Sequence, residues 1–160
     1  MPRKQNPTIQ LPRERLEQLR QLSLGMPDTT MSAVIGELLN LARREGLIGH
    51  DIPGVTINAL SDGIAIRFED GPTSGFSFEE AAGIAETIRK FVAGDRPKGG
   101  VMIFAASHKS VFHIVGKGQG IEVKTISGSR EGSKILTRDL TMELAEVLDR
   151  VVTQSMNTAE

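Results

Sequence analysis

The stretch NPTIQL, residues 6 to 11, alternates polar and apolar side chains as a strand does, and a helical pattern begins immediately after it. No comparable alternation returns before Val55. A strand satisfies its backbone N–H and C=O groups only against another strand, so this one needs a partner from outside its own neighbourhood. Asn6, Thr8 and Gln10 occupy one face and Ile9 and Leu11 the other, so one side is wet and one is apolar.

Pro12 suits the first turn of a helix, and Leu16, Leu19 and Leu22 follow at helical spacing until Gly25-Met26-Pro27-Asp28 interrupts the pattern. A second helix is expected from Thr29 or Thr30, either of which can cap it, with Met31, Val34, Ile35, Leu38, Leu39 and Ala42 as its apolar stripe. Arg43, Arg44 and Gly46 form its stop signal. One strand and two short helices cannot enclose an adequate core. Two copies can. Their strands would pair antiparallel, Ile9 and Leu11 would cover four helices, and Asn6, Thr8 and Gln10 of both chains would project from a two-stranded ribbon. Such a ribbon fits the major groove of B-DNA, where amide and hydroxyl groups read base edges. The simpler alternative adds the strand to the edge of a later sheet and leaves Thr8 and Gln10 as ordinary surface residues.

Residues 4 to 48 thereby resemble a ribbon-helix-helix DNA-binding domain of the Arc and MetJ type, a family of β-ribbon readers. The resemblance implies a homodimer in which Asn6, Thr8 and Gln10 contact bases. It also implies that backbone N–H groups of Thr30, Met31 and Ser32 hold phosphate, and that Arg3 and Lys4 touch the DNA backbone. Two residues depart from the family pattern: Pro7 removes a backbone donor within the strand, and Pro12 stands where a polar cap is more usual. The charge distribution agrees with a polyanion partner at this end. Residues 1 to 48 carry seven Lys/Arg against five acids, with four of the cations in the first fifteen residues, although the whole chain has a net charge of −1.

The Gly- and Pro-containing segment GLIGHDIPG, residues 46 to 54, separates helical from strand-like periodicity, which predicts a first domain over 1–48, a linker over 49–54 and a second domain over 55–160. The second domain looks duplicated. GIAIRF at 63 parallels GIEVKT at 120, and AETIRKFV at 85 parallels AEVLDRVV at 145, in the same order with offsets of 57 and 60. Each repeat, about 55–95 and 101–153, is expected to be a β-meander followed by an amphipathic helix. The first repeat offers strands at Val55 to Leu60, at Gly63 to Glu69 and near Phe76, then a helix capped by Ser77 with Glu80 as its capping-box partner. The second offers Val101 to Ala106, Val111 to Val115, Gly120 to Ile126 and Ser133 to Leu136, then a helix capped by Thr137. The expected fold is therefore α+β, a dimeric ribbon-helix-helix followed by a duplicated meander-and-helix domain.

The chain has no cysteine, which excludes disulfides, thiolate metal sites and cysteine nucleophiles. Its longest apolar run, Val101 to Ala106, is too short to cross a bilayer, and no signal-peptide pattern is present, so a cytoplasmic location without membrane contact is expected. His108 and His113 flank an expected hairpin without a third convergent ligand, and His50 falls in the linker, so no metal or other cofactor is expected. GKGQG at 116 to 120 lacks the spacing of a phosphate loop and precedes a strand; it reads as a hairpin turn. No serine shows an evident histidine and acid arrangement, and Glu79-Glu80 suits a helix N-terminus, so no enzyme is expected.

The two repeats differ in sign: residues 54 to 95 have three cations and seven acids, whereas residues 107 to 138 have six cations and two acids. Lys109, Lys117, Lys124, Arg130 and Lys134 would form a second basic surface, either solvated, or attracted to the acidic repeat of another protomer, or touching nucleic acid. Four strands and a helix, in duplicate, are similar in topology to the PUR and Whirly single-strand-binding folds. The function expected is sequence-specific binding of double-stranded DNA by a dimer, or a higher oligomer on DNA. The role would be transcriptional repression or an accessory part in plasmid partition or transfer. The alternatives are an antitoxin-like interaction protein whose C-terminal domain holds a protein partner, with autoregulatory DNA binding, and single-strand nucleic-acid binding through the C-terminal repeats.

Overall fold

A computed structural model describes residues 7–26 and 29–158, and among them four helices and two antiparallel sheets make an α+β protein. Two units can be distinguished, Met1–Ile48 and Gly49–Glu160. In the first, α1 (Arg13–Leu24) begins directly after Pro12, whose φ of −54° and ψ of 148° are extended and whose side chain offers no cap. α2 (Met31–Arg44) is capped by Thr30, whose hydroxyl accepts from the Ala33 N–H at 3.2 Å. Pro7 to Pro12 form neither strand nor helix. The strand expected there has no ladder partner within its own unit, because no other strand of that unit is described.

In the second unit β1 (Val55–Ala59), β2 (Gly63–Phe68) and β3 (Ser74–Ser77) form a three-stranded sheet in that order and lead into α3 (Phe78–Ala93). β4 (Val101–Ala105), β5 (Ser110–Lys117), β6 (Gly120–Ser127) and β7 (Arg130–Leu136) form a four-stranded sheet, also in sequence order, and lead into α4 (Arg138–Thr158). The capping box that opens α3 is complete: Glu80 N–H donates to the Ser77 hydroxyl at 3.1 Å, and the Glu80 carboxylate accepts from Ser77 N–H at 2.7 Å.

Sequence-order sheets follow from short turns. Ser127 pairs with Arg130 and Lys117 with Gly120, so Gly118-Gln119 and Gly128-Ser129 are two-residue hairpin loops. The leading glycines have φ of +62°, a conformation that suits glycine in a two-residue loop. The second of these turns also corrects the expected start of β7, which begins at Arg130 rather than Ser133 because a loop this short pairs every following residue.

Both sheets and both helices share one core. α3 contributes Ile84, Ile88 and Phe91, α4 contributes Leu144 and Leu148, and the strands contribute Ile64, Ile66, Phe68, Phe76, Phe112, Ile114 and Val123. Four phenylalanines, Phe68, Phe76, Phe91 and Phe112, are fully buried. Each stabilises by about 1.5–3 kcal/mol through area removed from water. Arg89 of α3 and Asp149 of α4 form an ion pair where the two helices lie together. Among the described residues no helix is long and apolar enough to cross a membrane.

Candidate nucleic-acid interface

Of the residues expected to read bases, Thr8 and Gln10 are exposed to solvent, and Asn6 lies outside the described residues together with Arg3 and Lys4. The apolar row of the same segment is displayed as well, with Ile9 84% and Leu11 44% exposed. α1 buries none of its residues. On α2 only Val34 and Gly36 are buried, whereas Ile35, Leu38, Leu39 and Leu41 are between 40% and 47% exposed. An amphipathic helix gains its stability by covering such a stripe, so these two helices leave most of their apolar faces without cover. A groove of about 400 Å³ runs between them, lined by Leu11, Arg15, Gln18, Leu19, Leu22 and Leu38.

The start of α2 is an ordinary helix N-terminus capped by Thr30. Thr30 accepts from Ala33 N–H with its hydroxyl and from Val34 N–H with its carbonyl at 3.1 Å, so the N–H groups before these, of Thr30, Met31 and Ser32, are the ones with no partner inside the helix. They sit at the positive end of the helix dipole, where an anion is favoured, and the Ser32 side chain is exposed. No acidic residue occupies the first turn of α2 to compete for those groups.

The second basic surface is largely neutralised within the chain. Lys117 pairs with Glu122 at 2.9 Å and Lys124 with Glu131 at 3.5 Å, both on the outer face of the four-stranded sheet. Lys134 pairs with Glu69 of β2–β3, so the attraction between acidic and basic repeats is made inside one chain. Lys109 lies in the β4–β5 turn with φ of +51°, and Arg130 opens β7.

The histidines do not converge. His113 on β5 bonds to the Gly99 carbonyl through Nε2 at 3.0 Å, while His108 lies in the β4–β5 turn over Gly75 of β3. Among the described residues no group of three or more metal-ligating side chains is found. The structure does assemble a serine, a histidine and an acid that sequence reasoning missed. Ser107 Oγ is 2.8 Å from His108 Nδ1, and His108 Nε2 is 3.5 Å from the Asp62 carboxylate. Ser107 also lies 3.2 Å from Glu80 Oε2. The single hydroxyl proton of Ser107 goes either to the Glu80 carboxylate or to His108 Nδ1, according to the histidine tautomer. These contacts bring the β1–β2 turn, the β4–β5 turn and the N-terminus of α3 together. Only the adjacency of Ser107 and His108 was visible beforehand; Asp62 and Glu80 arrive through the topology.

No family model matches this chain, and neither a curated protein nor a solved structure matches it.

Proposed function

We propose that the protein is a homodimer that reads double-stranded DNA with a ribbon-helix-helix domain over residues 1–48, followed by a duplicated meander-and-helix domain with repeats at about 55–95 and 101–153. One observation carries the reading: α1 buries no residue and α2 leaves Ile35, Leu38 and Leu39 uncovered, while Ile9 and Leu11 extend into solvent beside them. A second copy would cover all of these at once and supply the missing partner for residues 8–11. The wet face of the resulting ribbon would present Asn6, Thr8 and Gln10 twice over, related by a two-fold axis, to a roughly palindromic site. Thr30, Met31 and Ser32 at the start of α2, with Arg3 and Lys4, would grip phosphate on either side.

The role that fits a dimer of this kind is repression of transcription, with plasmid partition or transfer as the setting that shares the same chemistry. The internal pairing of Lys117, Lys124 and Lys134 weighs against nucleic-acid binding by the second unit, because each lysine would have to give up its carboxylate partner to meet a phosphate. Selection of bound fragments from random and genomic duplex DNA tests the proposal. Enrichment of a short two-fold-symmetric sequence is the expected result. Retention of all fragments alike, or of none at physiological salt, would contradict it.

A further inference from the structure

The four-stranded sheet is buried on one face only. Ile121, Val123 and Phe112 point into the core, and the alternation of the strands turns Met102, Phe104, Val111, Val115, Ile126 and Ile135 to the other side. Met102 is 50%, Phe104 72% and Ile135 54% exposed. We propose that this face is a self-association surface on which the same face of a second copy packs, joining one DNA-bound dimer to the next. The inference rests on the dimer proposed above, and adds to it a contact between dimers.

The charge on the face selects the occupant. Its two lysines and two glutamates form two internal pairs, Lys117 with Glu122 and Lys124 with Glu131, so the face carries no surplus of either sign. A polyanion gains little from such a surface, whereas stacking it on itself about a two-fold axis brings no unpaired like charges together. Flat sheet faces pack about 10 Å apart by interdigitating apolar residues of this kind. The size selects the strength. Four strands about 4.8 Å apart and about seven residues long present roughly 19 by 23 Å, or roughly 430 Å² per copy. Two such faces together bury roughly 900 Å², short of the roughly 1,600 Å² of a stable complex. The contact is therefore weak between free dimers and effective where DNA holds neighbours side by side, which raises their local concentration.

Sedimentation equilibrium of the full chain from low to high micromolar concentration, with Phe104→Glu, Met102→Lys and Leu39→Glu variants, tests this directly. The first two change exposed side chains, and an unchanged melting temperature confirms that they fold. The wild type is expected as a dimer that converts to a tetramer as concentration rises. Phe104→Glu and Met102→Lys should each weaken the second step at least tenfold and leave the dimer intact. A wild type that stays dimeric throughout, or variants that form tetramers as readily, overturns the inference. A wild type that only passes from monomer to dimer, sensitive to Phe104→Glu and indifferent to Leu39→Glu, keeps the sheet contact and overturns the N-terminal dimer instead. If Phe104→Glu abolishes binding of a single-stranded oligonucleotide without altering self-association, the face is a nucleic-acid platform and the inference fails.

Discussion

Thr8 and Gln10 stand on an exposed segment with no other use in their own unit, which makes them the cleanest side chains for testing base recognition. On the selected duplex, Thr8→Ala and Gln10→Ala are each expected to cost about 1–3 kcal/mol per lost base contact while leaving affinity for random duplex nearly unchanged, measured by fluorescence anisotropy at fixed salt. Equal losses on both duplexes would mean that the ribbon does not read bases. A second residue-scale expectation concerns stability. Thr125 is fully buried on the core side of β6, and its hydroxyl has no hydrogen-bond partner among the described residues. Thr125→Val keeps the shape and removes a polar atom that burial penalises, so it should be neutral or stabilise by about 1 kcal/mol in chemical denaturation. A loss of more than about 1 kcal/mol would show that the hydroxyl is bonded after all.

At the scale of elements, one close approach of backbone to backbone in the second unit is between two glycines. A Cβ built on Gly71, after β2, would lie 2.4 Å from the Cα of Gly132 in β7, and one on Gly132 would lie 2.9 Å from the Cα of Gly71. Backbone cannot retreat as a flexible side chain can, so Gly132→Ala should destabilise by about 2 kcal/mol or more by forcing β7 away from the β2–β3 connection, read as a fall in the denaturation midpoint. An unchanged midpoint would mean that the two segments part freely. This contact also marks where sequence reading stops. Ser77 and Glu80 announced the start of α3, and the hairpin turn at Gly118 was legible, because a cap and a two-residue loop are local chemistry. Gly71 meeting Gly132, Lys134 meeting Glu69, and Asp62 and Glu80 meeting the Ser107-His108 pair join residues far apart in sequence. No local pattern specifies such pairs; only the packing of two sheets does. The segment at 8–11 is the reverse case. Its alternation is clear in the sequence, and the ladder that would make it a strand needs a second chain.

For the whole molecule, the two units differ in how much of their apolar surface they bury. The core of the second unit is closed by residues between Ile52 and Val152, all from one chain. Among its described residues the first unit has no comparable core and should acquire one by dimerisation, so its stability should depend on protein concentration more steeply than that of the second, whose sheet contact is weak. The salt dependence of DNA binding reports the same symmetry. Arg3→Ala removes one cation from each of two chains, so the slope of log affinity against log salt should become shallower by about 2 for the dimer. A change near 1 would indicate that a single chain carries the phosphate contacts. The measurement that bears most directly on the central claim is native amide hydrogen exchange of Thr8 to Leu11 in the free, full-length protein at about 50 µM, a concentration at which an obligate dimer is assembled. If two chains pair their strands, alternate amides of this segment should exchange about 10³-fold or more slowly than in an unstructured peptide, as cooperatively protected strands do. Exchange at the unstructured rate, with the amides of β5 and β6 still protected, would contradict the ribbon and the DNA-binding mode built on it.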